Sequence, residues 1–227
     1  MARAAIFDID GTLIDSVYLH ARAWQEAFAH FGVRLSFEEV RSQIGKGGDQ
    51  LIPRFLTEEQ NRKFGKELEK YRTALYKREY LPRVKAFPKV RELFLALRER
   101  GLDLALASSA KGDELEHYKK LARIDDLIDA ETSADDVERS KPHPDIFEAA
   151  LERLGRPDPS QAVVVGDSPY DAEAAGKLGL RSIGLLCGGF PEELLRLAGC
   201  AQIFRDPEDL LARLDTSLLV DRPGGAT

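Results

Sequence analysis

Several short stretches of the chain carry residue types that can handle a charged oxygen. They are Asp8-Ile9-Asp10-Gly11-Thr12 near the start, Ser108-Ser109, Lys141 followed by Pro142-His143-Pro144, and Gly166-Asp167 with Asp171 four residues on. Carboxylates packed together repel unless a cation sits among them. A hard, oxygen-seeking ion held by one or two carboxylates together with a substrate phosphate describes Mg2+. Lys141 offers an ammonium able to hold a nucleophile ionised and to neutralise a phosphoryl oxygen, and the Ser108 hydroxyl can donate to the same group. Each residue also has a plainer reading. Asp and Gly form turns, Ser108-Ser109 can open a loop, a lone lysine is usually solvated, and Ser168-Pro169-Tyr170-Asp171 has the spacing of a helix capping box. Should Ser108 cap the following segment, Ser109 takes its place as the phosphate donor.

These residues converge only if the elements before them end at one place. Ala4-Ala5-Ile6-Phe7 is a short apolar run stopped by Asp8 and Gly11, which predicts a buried strand and a tight turn. The run Leu102–Ala107 ends at Ser108 and the run Ala162–Val165 leads to Asp167, so both read as strands with their chemistry at the carboxyl end. Between and after them the pattern predicts helices near Pro88–Arg100, Asp113–Leu121 and Pro144–Leu154, a further helix from Pro169, and strands near Leu127–Ala130 and Ser182–Leu186. Alternating strands and helices call for an α/β fold with a Rossmann-like, doubly wound parallel sheet. Ligands bind at the carboxyl ends of such strands, near the switch point. From Ser16 to Leu81 the alternation is interrupted. Trp24, Phe28 and Phe31 recur at helical spacing over Tyr18–Phe31, and Phe64, Leu68, Tyr71 and Leu75 do so within the charged stretch Glu58–Tyr80. The segment 16–81 is therefore expected to be an inserted all-helical cap, with residues 1–15 and 82–227 forming the core. The tail from Asp221 is expected to fray.

Composition sets the outer limits. The 227 residues suit one core plus a smaller insert, and 43% hydrophobic with 32% charged residues fits a globular chain. A net charge of −6 supplies no basic stripe for a nucleic-acid backbone, so nucleic acid is not expected as a partner. Cys187 and Cys200 form neither a Cys-x-x-Cys pair nor a disulfide framework, which fits a reducing cytoplasm. The first apolar run is far too short for a membrane span or a secretory signal, so no membrane partner is expected. A monomer or homodimer is expected. The four histidines show no ligand spacing, His143 reads as a loop residue beside the site, and Trp24 with its aromatic neighbours reads as insert core.

Asp8-Ile9-Asp10-Gly11-Thr12, Ser108 after an apolar strand, Lys141 before Pro142, and Gly166-Asp167 together resemble the haloacid dehalogenase superfamily. All four of its signature regions occur in order over nearly the whole chain. The insert is similar to the small helical cap of the phosphoglycolate phosphatase-like and β-phosphoglucomutase-like members. The resemblance implies a magnesium-dependent phosphatase acting on a small phosphorylated metabolite through an aspartyl-phosphate. Asp8 would be the nucleophile and Asp10 the general acid and base, the latter with a raised pKa. Thr12, Ser108 and Lys141 would lie at the phosphoryl group. Asp8, Asp10 through its backbone carbonyl, Asp167 and, less directly, Asp171 would hold the metal.

The resemblance also orders the alternatives. Dehalogenases lack an acid at the position of Asp10. Hexose-phosphate mutases usually carry an arginine in the cap loop, and Gly45-Lys46-Gly47-Gly48-Asp49 has none. Phosphonoacetaldehyde hydrolase-like enzymes use a cap lysine as a Schiff base, and Lys46 sits in that loop. A catalytically silent binding module conflicts with the intact set of residues. Otherwise Lys46, flanked by glycines, is expected to read the part of the substrate distal to the phosphate, with phosphoglycolate or a small sugar phosphate as the candidates.

Overall fold

The computed structural model describes residues 2–220; the tail from Asp221 lies outside the described residues. The apolar runs form β1 (Ala4–Phe7), then β2 (Ile14–Asp15) after a turn at Gly11. A helical insert follows: α1 (Val17–His30), α2 (Phe37–Arg41), α3 (Gly48–Phe55), and α4 (Glu58–Gln60) running through a π-helical turn at Asn61–Gly65 into α5 (Lys66–Leu75). A second π-helical stretch, Tyr76–Tyr80, leads to β3 (Lys85–Ala86), which pairs antiparallel with β2 as a small ribbon at the base of the insert.

Alternation then takes over: α6 (Val90–Glu99), β4 (Asp103–Ala107), α7 (Gly112–Ala122), β5 (Ala130–Thr132), α8 (Asp145–Arg153), β6 (Ala162–Gly166), α9 (Pro169–Lys177) and β7 (Arg181–Leu185). The chain adds α10 (Glu192–Leu197), β8 (Cys200–Phe204) and α11 (Pro207–Ala212), which the sequence pattern did not reveal. The strand expected near Leu127–Ala130 begins only at Ala130. Pairing with β4 fixes it, because Ala105 and Ala107 face Ala130 and Thr132, and this leaves buried Leu127 in the preceding turn.

The six main strands run parallel in the order β5-β4-β1-β6-β7-β8. After β1 the chain builds outward through β4 and β5 on one side, and then through β6, β7 and β8 on the other, so the switch point lies at β1. Alternate side chains of each strand enter two cores. Ala5, Phe7, Leu104, Leu106, Val163 and Val165 pack against Leu93, Phe94 and Leu97 of α6 and Tyr118 of α7. Ala4, Ile6, Ala105 and Val164 pack against Phe147 and Ala150 of α8 and Ala174 of α9. Burial on both faces explains why these strands read as unbroken apolar runs. The insert has a separate core in which Trp24, Phe28, Val40, Leu51 and Leu68 meet. Among the described residues no helix is long and apolar enough to cross a membrane.

Candidate active site

Register brings the chemistry together. Phe7 lies level with Leu106 on one neighbour and Val165 on the other, so the residues after β1, β4 and β6 emerge side by side. The Asp8 amide donates to the Val165 carbonyl at 2.9 Å, carrying the parallel ladder one residue past β1. Gly11 then turns with φ +87°. A Cβ there would lie 2.4 Å from an Asp167 carboxylate oxygen, so glycine is required both by the backbone and by the close approach.

Asp8, Asp167 and Asp171 are all buried, and one carboxylate oxygen from each lies within 4.8 Å of the others. Lys141, also fully buried, donates to Asp8 and at 2.8 Å to Asp171. Burial pushes Asp8 up to about 7 against the pull of Lys141, and Asp171 and Asp10 add to the rise. Asp167 is held well above the usual carboxylate range by burial and by Asp8 and Asp171. Lys141 is raised despite burial, because Asp171 and Asp8 face it. One ammonium cannot balance three buried carboxylates. The donor set is all hard oxygen, and it fits a divalent cation such as Mg2+.

The structure places the remaining expected residues in varied positions. Thr12 is buried, and its hydroxyl reaches Asp8 at 2.9 Å and Asp167 at 3.3 Å. It therefore sits between the two carboxylates and is not among the residues that line the cavity. The Ser108 hydroxyl is buried and accepts from the Ala110 amide at 3.0 Å, which leaves its proton free to donate, while Ser109 lines the cavity. Asp171 also caps α9, where one of its oxygens accepts from the Ser168 amide and hydroxyl and the other from Lys141. The capping spacing is thus realised, and the same side chain remains within the acidic cluster.

Asp10 turns away from the acidic cluster towards the insert. Ser16, at the entry to α1, donates to its Oδ1 at 2.6 Å, and His20 Nε2 lies 2.8 Å from the same oxygen. Arg72 of α5 meets His20 Nδ1. Tyr76 stacks on the imidazole at 4.0 Å, and the Tyr118 hydroxyl lies 3.3 Å from Nε2. Burial alone would raise Asp10, but His20, Ser16 and Arg72 outweigh it and bring it down to about 2. The raised pKa expected of a general acid is thus absent in this arrangement, because the insert supplies hydrogen bonds and charge as well as desolvation.

Neither His20 nor Arg72 was among the residues expected from sequence. For His20 a signal existed: Ser16 and His20 are four apart on a helix that starts just after the first motif, so they share a face. Arg72 lies more than fifty residues away and carries no local mark.

A cavity of about 250 Å³ opens beside Asp8, Asp10 and Lys141 and is closed above by Trp24, the loop Gly45–Asp49, and Arg72. Trp24 thus serves both the insert core and the cavity wall. Polar contacts tie the insert to the core, Tyr76–Tyr118, His20–Tyr118 and Lys77–Asp113 among them. Tyr170 donates to the Ser42 carbonyl at 2.6 Å, Arg41 to the Gly188 carbonyl at 3.0 Å, and the Ser140 amide to Asp49 at 3.0 Å. Gly47 permits this approach, since a Cβ there would fall 2.0 Å from the Ser140 hydroxyl. Lys46 lines the cavity, but its ammonium bonds Gln43 at 2.7 Å and lies 4.5 Å from the Tyr170 ring centre.

Known proteins share this arrangement of chain. A hydrolase from Pseudomonas syringae is similar in structure with a TM-score of 0.84 and 33% identity, covering 94% of this chain and 98% of that one. CbbY from Rhodobacter sphaeroides, solved in complex with phosphate, gives 0.71 and 28% over 95% and 100% of the two chains. The phosphoglycolate phosphatase of Escherichia coli K12 is 31% identical over 233 residues, spanning 93% of this chain and 92% of its own length. The sequence model of the haloacid dehalogenase-like hydrolases matches residues 5–185, from β1 to the end of β7, and the chain belongs to that family.

Proposed function

We propose that the protein is a magnesium-dependent phosphatase that hydrolyses a small phosphorylated metabolite through an aspartyl-phosphate on Asp8. The observation that carries this reading is the setting of Asp8. Its carboxylate is gripped by Lys141 on one oxygen and Thr12 on the other, beside two further carboxylates, and it faces a cavity of metabolite size. At about 250 Å³ the space lies just below the ~300–1,000 Å³ of drug-sized ligand sites, which favours a phosphoryl group on a few-carbon body.

In this reading Asp8 attacks phosphorus in line with the leaving oxygen, and the Lys141 ammonium and the Ser108 hydroxyl stabilise the equatorial oxygens. Asp8, Asp167, Asp171 and the Asp10 backbone carbonyl would hold Mg2+, which would supply positive charge to offset the carboxylates and the incoming phosphate. Asp10 gives a proton to the leaving alkoxide and then takes one from the water that opens the aspartyl-phosphate. Its bonds to Ser16 and His20 hold it in the basic form, suited to the second step, so the first requires it to turn from the insert to the substrate. Residues 16–81 would act as the cap and residues 1–15 and 82–227 as the core, with Tyr170–Ser42, Arg41–Gly188 and Asp49–Ser140 among the contacts that hold it shut.

The test is rapid-quench labelling with a phosphorylated substrate and Mg2+. Acid-stable, hydroxylamine-sensitive phosphate should accumulate, and chelation should abolish both the label and phosphate release. Turnover at full rate in excess chelator after dialysis would refute the metal assignment. Isomerised product in place of free phosphate would indicate a mutase, and a borohydride-trapped adduct on Lys46 would indicate phosphonate cleavage.

A further inference from the structure

The phosphatase reading uses the floor of the cavity and leaves its outer wall unexplained. That wall carries more carboxylates than cations, and Glu114 and Glu69 are among those left without a partner in the described residues. Glu114, in the first turn of α7, is only 2% exposed. Its carboxylate has no hydrogen-bond or ion-pair partner among the described residues, yet neither oxygen is sealed from solvent, so it opens on the cavity it lines. Glu69 of α5 is half-buried and likewise unpaired among the described residues. It reaches over Gly48, where a Cβ would lie 2.6 Å from its Oε1. A place in the first turn of a helix favours an acid at position 114, but a helix dipole calls for no burial of the carboxylate against an open cavity. Leaving a buried acceptor unmade is costly, and the cost is recovered when a ligand donates to it.

We propose that Glu114 and Glu69 select the leaving group, so that the site takes phosphate esters whose body donates hydrogen bonds and carries no negative charge. This rests on the phosphatase reading. A hydroxyl or an ammonium is the donor that fits. A substrate carboxylate drawn to within about 5 Å of either glutamate would be repelled strongly enough to lower its affinity more than about tenfold. The chain would then differ in substrate from its E. coli relative, named for phosphoglycolate, whose leaving group is an anion. Arg72, hydrogen-bonded to His20 with its Nε unpartnered among the described residues, Lys46 and Lys111 also face this wall, but Asp49, Glu69, Glu114, Asp135 and Glu138 outnumber them.

The experiment compares kcat/KM with Mg2+ for glycerol phosphate, phosphoethanolamine, phosphoglycolate and an aryl phosphate, on wild type, Glu114→Gln and Glu69→Gln. Wild type should prefer glycerol phosphate or phosphoethanolamine to phosphoglycolate by at least tenfold. Each substitution should move the ratio towards phosphoglycolate by about tenfold. The arms also separate the two donors. An amide still bonds a hydroxyl but no longer pairs with an ammonium, so retention of the glycerol phosphate rate identifies a polyol body, and selective loss on phosphoethanolamine an amine. A wild type faster on phosphoglycolate, or ratios unmoved in both variants, overturns the inference while the phosphatase reading stands. No hydrolysis of any ester, the aryl phosphate included, overturns both. Two variants on different elements keep the result readable if one fails to fold.

Discussion

Asp8 and Asp10 are two residues apart and live in opposite surroundings. Asp8 belongs to the sheet, with a buried lysine and two buried carboxylates around it, and is pushed up to about 7. Asp10 faces the insert, bonded to Ser16 and His20 with Arg72 behind His20, and is brought down to about 2. The difference shows how one pentapeptide can serve two roles. In the proposed mechanism strand ends would hold the nucleophile fixed, while the first helix of the insert would set the protonation of the acid and base.

The largest effect should come from the sheet side. Asp8→Asn keeps the shape and removes the attacking oxygen, so turnover should fall by roughly 10⁴-fold or more, as for other nucleophile deletions. No phosphoenzyme should be trapped by rapid quench. Persistent hydroxylamine-sensitive label in this variant would move the nucleophile elsewhere.

On the insert side the loss should be smaller and of a different kind. Asp10→Asn spares the attack but impairs proton transfer in both steps, which is worth roughly 10²–10⁴-fold. With an aryl phosphate, whose leaving group needs little help, the phosphoenzyme should still form and should persist longer than in wild type. If Asp10→Asn instead abolished labelling as completely as Asp8→Asn, the two carboxylates would share one role and the contrast between them would collapse.

The same division separates what the sequence displayed from what it hid. The sheet side was legible because its residues follow short apolar runs, and strands buried on both faces cannot look otherwise; Asp8, Ser108 and Asp167 were read from those runs alone, before any resemblance. β5 slipped by a few residues because Leu127 is apolar and buried without being paired. β8 and α11 were missed because Cys200–Phe204 mixes exposed and buried positions at the sheet edge. On the insert side, helical stripes reported that Trp24 and Phe28 are buried but not what the helices face. Contacts such as His20–Arg72 and Tyr170–Ser42 join segments far apart in the chain, and no local spacing encodes them. Thr12 was placed at the phosphoryl group because the motif holds it; that its hydroxyl also joins Asp8 to Asp167 needs the fold to be seen.

A pH profile sharpens the contrast further. Removing the imidazole in His20→Gln takes away a main reason why Asp10 is depressed, and burial then drives it upward. The basic form of Asp10 would be lost at a higher pH than in wild type, so the acid limb of the rate profile should move up. A move of one pH unit costs about tenfold in activity below the limb and little above it. Arg72→Met, acting through His20, should do the same to a smaller degree. An acid limb that stays in place in both variants would show that the His20–Asp10 contact has no part in turnover.

The smallest effect concerns Lys46. Its ammonium is already satisfied by Gln43 and sits over the Tyr170 ring, beside the Tyr170–Ser42 bond that ties the insert to the core. Lys46→Met keeps an apolar stem against the ring and removes the charge, so the change is the cation–π term, about 0.5–1 kcal/mol at a partly exposed site. That contact joins the insert to the core, so if the insert closes over the substrate the loss should fall on closure and hence on every substrate alike. It should be about two- to fivefold in kcat/KM, the same for an aryl phosphate and for glycerol phosphate. The sequence-based expectation that Lys46 reads the distal end of the substrate makes the opposite claim, a loss confined to substrates with a second anionic group. Steady-state kinetics on phosphoglycolate, glycerol phosphate and the aryl phosphate decide between them: uniform small losses make Lys46 part of the latch, and a loss on phosphoglycolate alone makes it a reader. The second outcome would also weaken the selective role given to Glu114 and Glu69, because a lysine placed to attract a carboxylate and two glutamates placed to repel it cannot both govern one cavity.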